Sequence, residues 1–230
     1  DHWQSRGLGD VYKRQVVSSG NELIKSDKKI KDHQVYDSNK YQIIHFLKKF
    51  NISVHDLGIL KDDEIKVDKF YKKNQNKFDI IISSGGSSFS SKDYISSFLS
   101  QNTELLFKYV RIQPGRPVIF SKLKFNYYFS LPGNPLAVFT NLFFLVSLFI
   151  DPSRKDNSSI TKFYQSGFSE NKKSNLTKFY RVKLSKNILY THNSKGSAKL
   201  ISLSEADGLA FVPEGNDKIK KGEKIRFIEF

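Results

Sequence analysis

A run of serine and glycine residues near the middle of the chain has the composition of an anion-binding loop. It follows residues 80–82, three isoleucines of the kind that form a buried parallel strand. Gly85 and Gly86 can adopt positive φ, which lets a backbone approach a ligand closely. We expect a helix to begin near Ser91, so that its free N–H groups and positive dipole end face the same space. A surface turn rich in serine and glycine is the alternative interpretation.

Three further glycine turns have a related pattern. Residues 18–22 and 131–135 each follow an apolar, strand-like segment, and residues 113–117 form another turn. In a parallel sheet the carboxyl ends of the strands lie at one edge, and ligands of open α/β folds bind there. We therefore expect these turns to gather around one substrate.

Three carboxylates lie close to these turns, at Glu22, Asp62 and Asp93. Carboxylates alone would repel an anion, so the pattern favours a phosphorylated or oxyanionic substrate bridged by a hard cation such as Mg²⁺. Simpler interpretations stay open at this point, because Asp62 could be only a helix cap and Asp93 only a partner of a helix dipole.

The order of apolar segments predicts an α/β fold followed by a small all-β domain. Strand-like and helical patterns alternate over residues 16–150, which is typical of a doubly wound, mostly parallel sheet. Residues 151–158 are polar and aperiodic and predict a linker. Short strand-like segments over residues 159–230 predict a β-barrel-like domain. Residues 1–15 hold the only Trp of a chain without Met, and we expect them to be a non-native scar outside the fold.

The composition narrows the classes of function. The chain has 230 residues and no Cys, which excludes a disulfide framework and thiolate metal ligands and fits a cytoplasmic location. No apolar run is long enough to span a bilayer, so we expect no membrane partner. The net charge of +15 could serve a nucleic-acid-binding module, although no nucleic-acid motif accompanies it and a lysine-coated surface explains it better.

The motifs, in their order, resemble one known family. The chain is similar to the carboxyl-terminal half of molybdopterin molybdenumtransferase, the family of MoeA and of the gephyrin E domain. Each motif alone is weak, but order and spacing agree from residue 16 to residue 230. The matching segments are residues 19–23, 37–39, 58–63, 83–94, 114–117, 131–135, 196–200 and 206–213.

The resemblance implies a reaction and a set of site residues. Adenylylated molybdopterin and molybdate bind together, the pyrophosphate link is cleaved, AMP leaves, and molybdenum is placed on the dithiolene with the help of Mg²⁺. The implied catalytic residues are Glu22, Asp62 and Asp93, with Asp62 and Asp93 as metal ligands. The implied substrate-binding residues are Ser19, Gly20, Ser83, Ser84, Gly85, Gly86, Ser87, Ser88, Pro114, Gly115, Arg116, Pro132, Gly133, Asn134 and Pro135.

The chain departs from the family pattern in three respects. Tyr109 and Gln113 stand where the family often has basic residues, and nearby Lys108, Arg111 or Arg116 could replace them. Counted without a gap, Ser91 rather than Asp93 occupies the acidic position of the central loop. The family's two amino-terminal domains, which contribute to a homodimer and to the partner's active site, have no counterpart here, so the chain is expected to bind substrate and turn over poorly. Molybdopterin adenylyltransferase shares the sheet domain and is an alternative, but it is not expected to have the match at residues 206–209.

Overall fold

In the computed structural model of the chain, residues 13–75, 77–87, 93–151, 161–172, 175–191 and 201–230 are described. The contacts divide the chain into two compact units. The first contains the residues up to Lys108 together with Pro117–Gly133, and the second contains Tyr109–Arg116 and Asn134–Phe230.

The elements follow one another in the order that the sequence pattern predicts. Up to residue 131 they are β1 (Arg14–Ser19), β2 (Leu23–Ile24), β3 (Val35–Tyr36), α1 (Asn39–Lys48), β4 (Val54–Leu60), α2 (Glu64–Asn74), β5 (Ile80–Ser84), α3 (Tyr94–Asn102), β6 (Glu104–Tyr109), β7 (Ile112–Gln113), β8 (Pro117–Leu123) and β9 (Asn126–Leu131). After it they are α4 (Pro135–Asn141), a π-helical turn (Leu142–Val146), α5 (Ser147–Ile150), β10 (Lys162–Ser166), β11 (Glu170–Asn171), β12 (Thr177–Ser185), β13 (Ile188–Thr191), α6 (Ile201–Ser204), β14 (Gly208–Val212), β15 (Lys218–Ile219) and β16 (Lys224–Glu229).

The first unit is built on a six-stranded sheet with the strand order β4-β1-β5-β9-β8-β6. β4, β1, β5 and β9 are parallel, and β8 pairs antiparallel with β9. Side chains alternate across the strands: Val17 and Ile81 face a core shared with α2 and α3, whereas α1 contacts β1 and β4. The prediction of a doubly wound, mostly parallel sheet is confirmed.

The second unit contains a small barrel. Its sheet has the order β13-β10-β16-β14-β12-β7, and an additional pairing of β12 with β13 closes five of the strands. Alternate residues of β14 face inward and outward, so Ala210 belongs to the barrel core and Leu209 to a second apolar cluster. The predicted β-barrel-like domain is confirmed.

The apolar helix after residue 134 belongs by its contacts to this second unit. Leu136 joins Leu209 and Phe211 in the outer apolar cluster, against which Phe139 and Phe144 also pack. The boundary that the sequence places after residue 150 thus differs from the division by contacts. The linker falls largely outside the described residues, so the predicted domain boundaries stay a prediction.

Two local expectations need correction. The helix expected near Ser91 begins at Tyr94, because Asp93 supplies its N-cap and accepts a hydrogen bond from Ser96 N at 2.9 Å. The first strand begins at Arg14, so Arg14 and Gln15 belong to the fold although the sequence placed them in the scar. Within the described part of the chain, no helix is both long and apolar enough to cross a membrane.

Candidate functional site

Three of the predicted glycine turns lie side by side at one edge of the first sheet. They follow β1, β5 and β9, which are neighbouring parallel strands. Ser18 pairs with Ser84, and Ser84 pairs with Leu131, so the three strands end at the same level. The expectation that these turns gather is therefore confirmed. The turn at residues 113–117 belongs instead to the second unit.

Gly85 lies where no other residue fits. Its φ is +86°, and a Cβ built on it would lie 2.3 Å from the carbonyl oxygen of Ser19. Its backbone N–H donates to Leu131 O at 3.0 Å. The turn after β5 is thus packed between the turns after β1 and β9, and this close approach requires glycine.

Gly86 also has the positive φ that the sequence predicts, +74°. A Cβ on Gly86 would lie 2.9 Å from Ile95 Cβ and 3.2 Å from Asp93 Oδ1. Asp93 is only 4% exposed and caps α3, so its carboxylate has a structural role beside the turn. Its assignment as a catalytic residue and metal ligand stays a prediction.

Asp62 is held by the first glycine turn. One carboxylate oxygen accepts from Ser19 Oγ at 2.7 Å, and the other accepts from Asn21 N at 3.2 Å. The cap of α2 is the next residue, Asp63, which accepts from Lys66 N at 2.9 Å. The interpretation of Asp62 as only a helix cap is therefore wrong.

Glu22 and the serines complete the predicted site in the first unit. Glu22 is exposed, and its Oε1 would lie 2.8 Å from a Cβ on Gly20. Ser83 Oγ donates to Phe129 O at 3.3 Å, and Ser87 is buried. Pro132 is buried and Gly133 exposed. Ser88 and residues 196–200 lie outside the described residues.

Burial also affects a hydroxyl below the turns. Tyr71 is fully buried, and this desolvation raises the pKa of its hydroxyl above the ordinary value, with smaller contributions from neighbouring groups that include Asp93. The hydroxyl therefore stays neutral at physiological pH. The negative charge on this side of the turns comes from the carboxylate of Asp93.

The remaining predicted residues lie in the second unit. Asn134 caps α4 by accepting from Leu136 N at 3.0 Å and Ala137 N at 3.2 Å, and Pro135 is the first helical residue, as predicted. Thr140 Oγ1 donates to Pro114 O at 2.8 Å, and Asn141 Nδ2 donates to Gly115 O at 3.0 Å. Polar residues inside an apolar helix were the signal for this contact.

The basic residues near this turn are engaged within the second unit. Arg111 pairs with Glu214 and donates to Asn175 O at 3.1 Å. Arg116 is exposed, and its guanidinium lies 5.6 Å from the ring centroid of Tyr109. Of these two arginines, Arg116 is the less constrained candidate for replacing a basic residue of the family.

The sequence reasoning did not assign a site role to the start of α1. Asp37 is 2% exposed, and its Oδ1 accepts from Ser18 Oγ at 2.8 Å and from Lys40 N at 3.3 Å. Lys40 is also buried, with Nζ 3.1 Å from Asp56 Oδ2. These bonds join the start of α1 to the end of β1. The segment 37–39 was singled out only as a matching motif.

The electrostatic arrangement suits an anionic ligand with a metal shared between ligand and protein. Among the described ranges, no three His, Asp or Glu side chains lie close enough to form a protein cage for a metal ion. Mg²⁺ in phosphate sites commonly keeps waters and takes only one or two carboxylates besides the phosphates. Each oxygen of Asp62 accepts one of the bonds given above, which leaves capacity on both oxygens for such an ion.

Two family models match the chain. The model of the "Probable molybdopterin binding domain" matches residues 15–151, and that of the "MoeA C-terminal region (domain IV)" matches residues 165–230. The molybdopterin molybdenumtransferase of Haemophilus influenzae is 34% identical over 131 residues, covering 57% of this chain and 32% of that protein. The corresponding protein of Nostoc sp. is 26% identical over 238 residues, covering 95% and 54%.

A solved structure has a similar fold. The molybdopterin biosynthesis moea protein from Pyrococcus horikosii superposes with a TM-score of 0.80 at 26% identity, covering 94% of this chain and 54% of that one. The chain therefore spans about half the length of these two longer matches. Because the first family model covers more than half of the chain and the second covers the barrel, the chain belongs to the MoeA family of molybdopterin-binding proteins.

Proposed function

We propose that this chain is the part of a molybdopterin molybdenumtransferase that binds adenylylated molybdopterin and molybdate, cleaves the pyrophosphate link and releases AMP. The observation that carries the proposal is the packing of three glycine turns at the ends of β1, β5 and β9, with Asp62 bonded to the first of them. Phosphate groups favour such turns because backbone can approach them closely.

The chain's own residues would act mainly by binding and orienting. The turn at Gly85 and Gly86 accepts no side chain, so a phosphoryl group can approach its backbone. Asp62 is fixed by two hydrogen bonds before any ligand arrives. A group that is already oriented costs little reorganisation in the reaction. We assign Asp62 the principal catalytic role, with Glu22 as an exposed second carboxylate and Asp93 as the carboxylate under Gly86.

Mg²⁺ fits this proposal as an ion shared with the substrate. When bound, it would neutralise charge on the pyrophosphate and lower the barrier to cleavage of that link. Asp62 is the residue that would hold it. Asp93 would need to bind the metal with oxygen atoms of a buried helix cap, and it is the weaker candidate for that reason.

The family match supports this function over the alternatives from the sequence. The adenylyltransferase alternative is not expected to carry a MoeA carboxyl-terminal region, which matches residues 165–230 here. We also propose, from the family resemblance, that the protein works as a homodimer in the cytoplasm.

The proposal is tested by the binding of AMP to Gly85→Ala. The added Cβ would force the turn away from Ser19 O, so we expect affinity for AMP to fall by about tenfold or more. Gly215→Ala is the matched control, because Gly215 has a φ of +85° and no atom within 4 Å of an added Cβ. Both variants experience the same backbone strain, and only Gly85→Ala disturbs the turns.

Titration calorimetry and melting temperature are measured for all three proteins. Molybdate-dependent AMP release from adenylylated molybdopterin is measured alongside. If the unchanged chain binds no AMP, or if the folded Gly85→Ala variant binds it as well as Gly215→Ala does, the assignment of the turns fails.

A further inference from the structure

Asn39, the first residue of α1, connects two of the glycine turns. Its Nδ2 donates to Ser84 Oγ at 2.8 Å and to Gly133 O at 2.8 Å. A side-chain amide has two N–H protons, and both are used here. Ser84 is the last residue of β5, and Gly133 lies two residues beyond β9.

The orientation of this amide follows from its partners. Gly133 O can only accept, so the atom that faces it must be the nitrogen. Asn39 Oδ1 is then buried without a hydrogen-bond partner among the described residues. Buried acceptors are rarely left unpaired, and an exception calls for an explanation. The unpaired oxygen is the consequence of using both protons to hold the two turns.

The bond to Gly133 extends the connection beyond the sheet. The ladder between β5 and β9 ends at the pair Ser84 and Leu131, and Gly85 N donates to Leu131 O. Gly133 lies past that point and is exposed, and an added Cβ there would meet no atom within 4 Å. Packing therefore does little to position Gly133, and the hydrogen bond from Asn39 does more.

The position of Asn39 is itself well determined. Asp37 accepts from Lys40 N, which starts α1, and from Ser18 Oγ near the end of β1. The buried Lys40 ammonium lies 3.1 Å from Asp56 Oδ2 and 3.9 Å from Asp37 Oδ2. The amide of Asn39 thus stands on a fixed support that connects to a third strand end.

We propose that Asn39 is a positioning residue that sets the spacing between the turn at residues 84–86 and the turn at residues 131–133, so that the two turns bind two phosphoryl groups of one pyrophosphate-linked ligand. This inference rests on the proposed function, which places the pyrophosphate link at these turns. A ligand that spans both turns benefits from their fixed spacing, whereas a ligand with one phosphate needs only one turn.

The test compares AMP with ADP-ribose, a stable nucleotide that contains a pyrophosphate link. Both are titrated with Mg²⁺ into the unchanged chain and into Asn39→Ala. We expect affinity for ADP-ribose to fall about tenfold and affinity for AMP to change less than about twofold. A residue that only supported the fold would weaken both ligands together or neither.

Asn74→Ala is the matched control. Asn74 is buried and donates to Phe70 O at 2.8 Å. It is the last residue of α2, ten residues beyond the start of that helix, which corresponds to about 15 Å along the helix axis. Its removal should leave the ratio of the two affinities unchanged. Asn39→Ser, which is too short to reach both partners, serves if Asn39→Ala does not fold.

The outcomes separate this inference from the proposed function. Selective loss of ADP-ribose binding supports the inference. Equal affinity changes for both ligands, or no change in a folded variant, overturn it and leave the proposed function standing. If the unchanged chain binds neither nucleotide, the proposed site fails, and this inference fails with it.

Discussion

Asp62→Asn distinguishes a catalytic carboxylate from a structural one. Asp62 accepts from Ser19 Oγ and Asn21 N. An amide can keep both contacts if its oxygen faces Asn21 N and the Ser19 hydroxyl turns to accept. Two hydrogen bonds to a charged group then become neutral ones, and each weakens by about 1 kcal/mol. The expected loss is about 2 kcal/mol, or a fall in melting temperature of several degrees.

The effect on the reaction should be larger than the effect on stability. Removing one preorganised charge from an active site typically slows the chemical step by about 100-fold. We therefore expect molybdate-dependent AMP release to fall by about that factor, while affinity for AMP falls less than about fivefold. AMP release is measured by chromatography, at a temperature well below the melting point of the variant.

Asp63→Asn is the matched control. It makes the same change in the adjacent residue, whose carboxylate caps α2 by accepting from Lys66 N. Asn caps a helix about as well as Asp, so both stability and AMP release should stay close to those of the unchanged chain. If the two variants have the same AMP release, the catalytic assignment of Asp62 is refuted. A lower melting temperature with unchanged release would leave Asp62 a structural role only.

Three further predictions concern other positions. Gly86→Val should abolish binding of adenylylated molybdopterin in a chain that still folds, because φ is +74° and the side chain would collide with Ile95; calorimetry showing unchanged affinity would contradict this. Gln15→Leu should stabilise the chain by about 2 kcal/mol in urea denaturation, because the amide of Gln15 is fully buried and neither of its polar atoms has a partner; Gln101→Leu, at an exposed position, should change stability little, and a loss of stability in Gln15→Leu would count against the reasoning. Since the chain spans about half of its Nostoc relative, we expect it to release AMP more slowly than that full-length protein does in a parallel assay, and equal rates would show that the remaining half is not needed.

Much of the fold could be predicted because it depends on local patterns. The run of isoleucines at residues 80–82 forms the buried strand β5, and the pair Asn134 and Pro135 starts α4 as a cap and first helical residue. These features depend on side-chain periodicity and on backbone preferences of single residues. The limits of elements were less predictable, since α3 begins at Tyr94 only because Asp93 turns inward to cap it.

The amino-acid sequence by itself determined the class of fold, the family and the glycine turns that have to approach a ligand. Only the tertiary structure decided which carboxylate caps a helix and which is held at the turns, because Asp62 and Asp63 are equivalent by composition and differ in what they contact. It also decided that Asn39 joins Ser84 to Gly133. Those partners lie 45 and 94 residues away in the chain, and no local pattern records a contact that exists only after strands β5 and β9 have come together.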